Sequence, residues 1–501
     1  MEDYSFKNEC IESCLTSSND SLNKDENNFE INNNDIDTEV VVIGNGPAGL
    51  SLSVFLSGWQ PYYDINSPHP DSRLHARLSQ NSKKSLLDQD LSWFEEEFAE
   101  IINPSVRPIA FLIDMLMRPP NGKSCLRYVQ NPMKSLSHIV LGETDAGGSW
   151  NSYDEEMITV SLLGWLDLPA FSLVEWFQGQ PLIARLPAGV IREYMKSYAK
   201  EMGIVENLRP YTRVTEVLKK FDNLGKEYYD VKGEDKNGQS FELRCRKVVL
   251  ACGQNYQKLL GVPGEEKNAK KIVYDIAAMK KSLLQNNDSI KTKSSVVVIG
   301  DGISAADAII QCLKSKHNVL HVMRRSDAQL RTTMLSKLSD KIYPEYAQAY
   351  KLMTGKENNP LYERIIQGTA QEVRDSVVLL NTPNGIIEQP YSLLVACLGR
   401  RAELPMLSEE VEFLADYRCA SDKKMFAIGS LAGDHFIRYL IGGSLQVAST
   451  LLNENKHEEM EEIQRQLLVE HQKVEKRQKQ IRRKHATPRV CWLSRILSTS
   501  S

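Results

Sequence analysis

Two short β-branched runs constrain this chain more than any other feature. Val40-Val41-Val42-Ile43 ends at Gly44, and Val296-Val297-Val298-Ile299 ends at Gly300. An apolar run of this length, bounded by glycine and followed by helical periodicity, fits a strand buried on both faces of a parallel sheet. The first run opens a G-x-G-x-x-G with Gly44, Gly46 and Gly49 and leads into LSLSVFLSG. The second opens a G-x-G-x-x-A with Gly300, Gly302 and Ala305 and leads into ADAIIQCL. In such a strand–turn–helix unit the first glycine makes the tight turn and the second lets backbone approach a pyrophosphate. The third small residue lets helix and strand pack closely. The helix N-terminus then offers free N–H groups and the positive end of its dipole to the phosphates. Two such units predict an α/β chain with two nested Rossmann-like domains, each holding a dinucleotide.

Further segments fit that plan. An acid on the ribose is expected about 20 residues after the glycines. Asp64, in PYYDINSP, stands there, either as that ligand or as a turn aspartate, because Pro61 and its aromatic neighbours make the second strand irregular. The later strand NVLHVM ends at Arg324-Arg325, where an NAD enzyme would carry an acid. Guanidinium groups match a 2′-phosphate by bidentate hydrogen bonding, which favours NADP. VVLACG ends at Gly253 and LVACLG at Gly399, small residues suited to backbone passing close to a cofactor. In Gly147-Gly148-Ser149-Trp150 the glycines give backbone access and the indole an aromatic wall. FAIGSLAGD, with Gly429 and Asp434, precedes the small-residue helix LIGGSLQVA and suits the flavin end of a dinucleotide.

Composition removes other classes. The 501 residues allow two to four domains, and 61 Lys plus Arg against 65 Asp plus Glu provide no global basic field for nucleic acid. Nine scattered cysteines form no C-x-x-C pair, so neither a disulfide framework nor a metal site is expected. No 18-residue apolar run predicts a transmembrane helix, and the acidic start MEDYSFKNEC does not read as a signal peptide, which points to the cytoplasm. Residues 1–38 read as a disordered acidic tail. Residues 453–486 run from acidic to basic, an order that complements a helix dipole and predicts a long solvated helix. Its basic stretch from Lys473 to Lys484 is an alternative docking surface for an acidic partner or an anionic membrane, with Cys491-Trp492-Leu493 and Ile496-Leu497 as apolar anchor.

Two nucleotide motifs in this order, G-G-x-W and the FAIGS segment resemble class B flavin-dependent monooxygenases. HPDSRLHARLSQ, LLDQDLSWF, DAGGSWNS, GWLDLP, IYPEY, VMRRS and FAIGSLAGDHFIRYLIGGSLQVAS narrow the resemblance to the oxidative stress-induced growth inhibitor family, over residues 39–452. The resemblance implies FAD on Gly44, Gly46, Gly49 and the Gly147–Trp150 turn, in a domain formed by residues 39–290 and 401–452. It implies NADPH on Gly300, Gly302 and Ala305, with Arg324 and Arg325 toward the phosphate, in a domain spanning 291–400. Hydride would pass from NADPH to FAD, and one oxygen of O₂ to a substrate, small molecule or protein. The family further implies control of growth and division, at division structures. Asn81, in SQNSKK, is the candidate catalytic polar group over the flavin, with a helix-start asparagine as the alternative. A redox regulator or an NADPH oxidase-like flavoprotein without oxygen transfer is the competing reading. The F-x-G-x-x-x-H-x-x-x-W stretch of Baeyer–Villiger enzymes is absent, with Tyr274 where its histidine would stand. Ser430 replaces the aspartate that many flavoproteins set against the ribityl chain.

Overall fold

The computed structural model describes residues 36–178, 180, 183–222, 225–285 and 295–485. Residues 1–35 of the expected tail and the apolar segment around Trp492 lie outside the described residues. The first group of strands is β1 (Thr38–Ile43), β2 (Trp59–Tyr63), β3 (Leu126–Gln130), β4 (His138–Gly142), β5 (Leu208–Pro210), β6 (Arg213–Phe221), β7 (Glu227–Glu234), β8 (Ser240–Leu250) and β9 (Tyr256–Gln257). The second is β10 (Ile272–Val273), β11 (Ser295–Ile299), β12 (Val319–Met323), β13 (Tyr362–Ile366), β14 (Thr369–Val373), β15 (Val377–Thr382), β16 (Gly385–Ala396), β17 (Arg400–Arg401) and β18 (Met425–Ala427).

The two β-branched runs become the central strands of two seven-stranded sheets of the same design. The first has the order β5-β4-β1-β8-β7-β6, with β18 also on β8; the second has β13-β12-β11-β16-β15-β14, with β10 also on β16. Val40, Val41 and Val42 are wholly buried, as are Val296, Val297 and Val298, which is why neither run needs polar alternation. The long strands β8 and β16 each do two jobs. Their first halves pair antiparallel with β7 and β15, and their second halves pair parallel with β1 and β11. Ile272–Val273 joins the second sheet from upstream of residue 291, and Met425–Ala427 returns the chain to the first.

The helix Pro47–Leu56 is apolar all round and is buried from Ala48 to Leu56. It is enclosed by the sheet and by the helix Ile437–His485, which also crosses the helix Pro108–Met117. At that crossing a Cβ on Gly442 would meet the Ala110 backbone, so this glycine serves helix–helix approach, whereas a Cβ on Gly443 would meet the Tyr417 ring and Asp434. The irregular strand β2 leaves the main sheet and pairs antiparallel with β3. The place beside β1 goes instead to β4. The charged C-terminal stretch continues the core helix as one 49-residue element. Among the described residues no helix is long and apolar enough to cross a membrane, and no cluster of metal-ligating side chains occurs.

Candidate dinucleotide sites

Gly44 follows β1 at φ +122°, where its N–H donates to the Leu141 carbonyl at 2.7 Å. A Cβ there would run into the carbonyl of Ala251, whose own N–H donates to the Ile43 carbonyl at 2.7 Å. Any side chain would therefore disturb the pairing of β1 and β8 as well as strain the turn. Gly46 is the N-cap of the helix Pro47–Leu56, and no side chain caps the helix N–H groups behind it. A Cβ on Gly46 would meet only the Gly148 Cα, at 4.0 Å. The Gly148 Cβ position in turn lies 2.9 Å from the Gly46 Cα, so the two glycine loops face each other without side chains between them.

Asn45 locks this pair. Its Nδ2 donates to the Thr144 carbonyl at 2.6 Å, and its carbonyl accepts from the Gly147 N–H at 3.0 Å. Asn151 Nδ2 gathers the same turn by donating to the Asp145 and Gly148 carbonyls, at 2.8 and 3.1 Å. The result is a cleft of about 560 Å³, lined among others by Gly44, Gly46, Gly148, Trp150, Gly253, Gly429 and Asp434. Gly49 and Gly147 sit behind this lining: a Cβ on Gly49 would strike the Gly44 carbonyl. Uncapped N–H groups and a wall without side chains are what a pyrophosphate requires, so the residues present fit a dinucleotide.

Asp434 is a buried member of the cleft lining. Arg107 Nη1 lies 3.3 Å from Asp434 Oδ1 and donates to the Ala432 carbonyl at 2.5 Å, while its guanidinium stacks on Tyr417 at 4.5 Å. Burial pushes the Asp434 carboxyl above its ordinary range and Arg107 pulls it back. The Cys252 thiol donates to the Ile43 carbonyl at 3.4 Å, and burial pushes it up to about 12. A buried thiol held in its protonated form is a poor nucleophile.

The second loop repeats the device. Gly300 has φ +133°, its Cβ position would strike the Cys397 carbonyl, and the Cys397 N–H donates to Ile299 at 2.7 Å. Gly302 caps the helix Ile303–Lys314 with no side-chain partner, and a Cβ on it would meet nothing within 4 Å. Ala305 is fully buried where a third glycine could stand. His321, beneath the loop, contacts the Gly300 carbonyl through Nε2 at 2.6 Å and the Tyr362 hydroxyl through Nδ1 at 2.8 Å. Burial lowers its pKa to about 4, so it stays neutral there. Arg325 pairs with Asp301, the acid inside the G-x-G turn, whereas Arg324 is exposed beside it. The two units meet after their glycine exits: Arg400 and Arg401 pair antiparallel with Gln257 and Tyr256. Arg400 thereby reaches the first cleft from the second unit, donating to the Gln254 and Asn255 carbonyls at 3.1 and 3.0 Å.

Over 431 residues the chain is 38% identical to the oxidative stress induced growth inhibitor homolog of Caenorhabditis elegans, an overlap of 82% of this chain and 93% of that one. The chain belongs to the oxidative stress-induced growth inhibitor family. Residues 192–381 also match the family of L-lysine 6-monooxygenase and L-ornithine 5-monooxygenase. Among solved structures the fold is similar to bacillithiol disulfide reductase from Bacillus cereus, with TM-score 0.54 and 14% identity over 83% of this chain and 99% of that one. It is also similar to ornithine hydroxylase from Pseudomonas aeruginosa, with TM-score 0.52 and 12% identity over 83% and 99%.

Two expected residues of this growth inhibitor relative lie away from the cleft. Asp64 follows β2, which has left the sheet; its Oδ1 accepts from the Asn66 N–H at 3.0 Å in a local turn. Asn81 is exposed, and its carbonyl accepts from Gln89 Nε2 at 3.2 Å. Besides Asp434, the acid that lines the cleft is Glu143, directly after β4, the parallel neighbour of β1. Its signal in the sequence is its place five residues before Gly148 in GETDAGGSW, not its distance from Gly49. Arg107 and Arg400 carried no motif at all. Tyr274 is committed elsewhere, donating to Glu265 Oε1 at 2.5 Å.

A second cavity of about 500 Å³ lies beside the helix Ile303–Lys314, lined by Asp307, Arg185, Lys280 and Tyr346. Burial pushes Asp307 up to about 6, opposed by the Tyr346 hydroxyl. A carboxyl with a folded pKa above its unfolded one binds more protons when folded, so its stability contribution is full at low pH and is lost as pH rises toward 6. Asp307→Asn is therefore expected to be more stable than the parent by about 3 kcal/mol at pH 7.5. Urea unfolding across pH should show that gain closing between pH 6 and 4; a constant gain would place its origin outside this ionisation.

Proposed function

We propose that this chain is an NADPH-dependent flavin monooxygenase, with FAD in the first cleft and NADPH on the second loop. One observation carries the reading: two cradles of one design, each with a side-chain-free turn and an uncapped helix, whose exits are stitched together by β9 and β17. When bound, NADPH supplies a hydride and FAD accepts it and activates O₂ for oxygen transfer to a substrate.

The chain's own residues bind and orient. Gly46, Gly148 and the N–H groups after Gly46 receive one pyrophosphate, and Glu143 accepts hydrogen bonds from the ribose. Trp150 walls the cleft, and Arg107 holds Asp434 in place in its lining. On the second loop Arg325 neutralises Asp301, which would otherwise repel a pyrophosphate, and leaves Arg324 for the 2′-phosphate. Arg324→Ala is expected to lower kcat/KM for NADPH about 10- to 100-fold while sparing NADH, because one charge-assisted contact is removed. Equal losses on both coenzymes would remove Arg324 from that role. The growth-inhibitor name of the relatives extends the reading to growth and division control from a cytoplasmic location.

The test is the visible spectrum of purified protein before and after anaerobic NADPH, then NADPH consumption and peroxide release in air. Yellow protein that bleaches, and consumes NADPH with peroxide falling when substrate is added, supports the reading. A colourless protein that cannot be reconstituted with FAD sinks it, and stoichiometric peroxide with every substrate offered leaves an oxidase.

A further inference from the structure

The helix that begins under the first cleft at Ile437 does not stop where its packing stops. Among the described residues Leu451 and Leu452 are its last buried apolar ones, and three ion pairs then moor its next turns to the body: Glu454 to Arg418 at 2.8 Å, Lys456 to Asp88 at 3.0 Å and Glu458 to Lys247 at 3.5 Å. Beyond them the helix runs on to His485. Most helical stability in proteins comes from packing of an apolar face, so a projection that bears one offers a surface to a partner.

The projection carries an apolar seam. Met460, Ile463, Leu467 and Val474 are all exposed, between 49% and 60%. At about 100° per residue they fall within an arc of roughly 60°, and their spacings of three, four and seven residues follow a coiled-coil heptad. The charge along the same stretch is segregated. From residue 454 to 462 the sequence has five glutamates against Lys456, and from 473 to 484 it has seven Lys or Arg against Glu475.

We propose that this segment joins a second copy of this chain in an antiparallel two-stranded coiled coil. Setting Leu467 of each copy against Val474 of the other lays each acidic segment along the other copy's basic segment. A parallel pair would set acid on acid and base on base, which costs stability at the flanks of a seam. An anionic membrane is disfavoured by the same segregation, because the acidic half bears much of the seam. The self-complementary order needs no other protein: the basic segment meets its acidic partner in a copy of itself.

Sedimentation velocity of the full chain tests this. The wild type is expected at twice the single-chain mass of 56.7 kDa at micromolar concentration, weakening as salt rises. Leu467→Glu/Val474→Glu is expected at the single-chain mass with unchanged melting temperature and flavin content, since both positions lie outside the core and the cleft. Orientation is read by an added disulfide oxidant against a wild-type control for the native cysteines. Leu467→Cys/Val474→Cys should cross-link into dimers, whereas Leu467→Cys alone should not. In the antiparallel register its two copies stand seven residues apart, about 10 Å, beyond disulfide reach. A monomeric wild type, a dimer that survives the double glutamate variant, or cross-linking through Leu467→Cys alone would each overturn the proposal.

Discussion

Gly46→Val is expected to yield a folded protein without flavin. A Cβ at this position meets nothing closer than the Gly148 Cα at 4.0 Å, so the backbone has no cause to move. The two γ-methyls of valine, however, must occupy the gap between the glycine loops or the cleft itself, which is where a pyrophosphate has to approach the N–H groups of the helix Pro47–Leu56. The expected loss is at least 1,000-fold in FAD affinity, about 4 kcal/mol, seen as absent visible absorbance and no heat on titration with FAD. The melting temperature of the flavin-free proteins should stay close to wild type. Gly44→Val makes the contrast, because its side chain meets the Ala251 carbonyl and a φ of +122°, so folding itself should fail. A yellow Gly46→Val protein would remove the first loop from flavin binding.

A large loss of stability is expected for Asp114→Ala, in a protein that still folds. Asp114 is buried in the helix Pro108–Met117 and accepts from Arg118 Nη1 at 3.1 Å and from Arg438 Nε at 3.0 Å. Arg118 also donates to the Asp167 carbonyl at 2.9 Å and to Gly164, and Arg438 stacks on Trp165 at 4.5 Å. One carboxylate thus joins two helices and the GWLDLP loop. Removing it leaves two guanidinium groups close together and largely buried, one of them nine-tenths so. That should cost about 3–5 kcal/mol, measured by urea unfolding. Arg438 adjoins Ile437 in the cleft lining, so weaker flavin retention should accompany the loss. A change below 1 kcal/mol would show that the cluster contributes little net stability.

The Val40–Ile43 and Val296–Ile299 strands and the helices after them were legible because every requirement lies within about ten consecutive residues. A buried strand, a turn at positive φ and an uncapped helix start follow from local chemistry alone. The place of Arg324 and Arg325 at the end of β12 was legible too, since β12 pairs directly with β11 after one short crossover. Asp64 stands at the right distance along the chain and in the wrong place in space. Pro61 and the paired β2 and β3 take it out of the sheet.

By itself, then, the order of residues determined two parallel-sheet units, the glycine geometry of both loops and the long charged helix. Only the tertiary structure decided which acid stands beside the first loop, that Arg107 pairs with Asp434 and Arg400 lines the cleft, and that Asn81 faces solvent. The physical reason is that strand neighbours are chosen by hydrogen-bond pairing across the whole chain. The segment between Tyr63 and His138 separates β1 from its neighbour β4 in sequence and adds nothing to their separation in space.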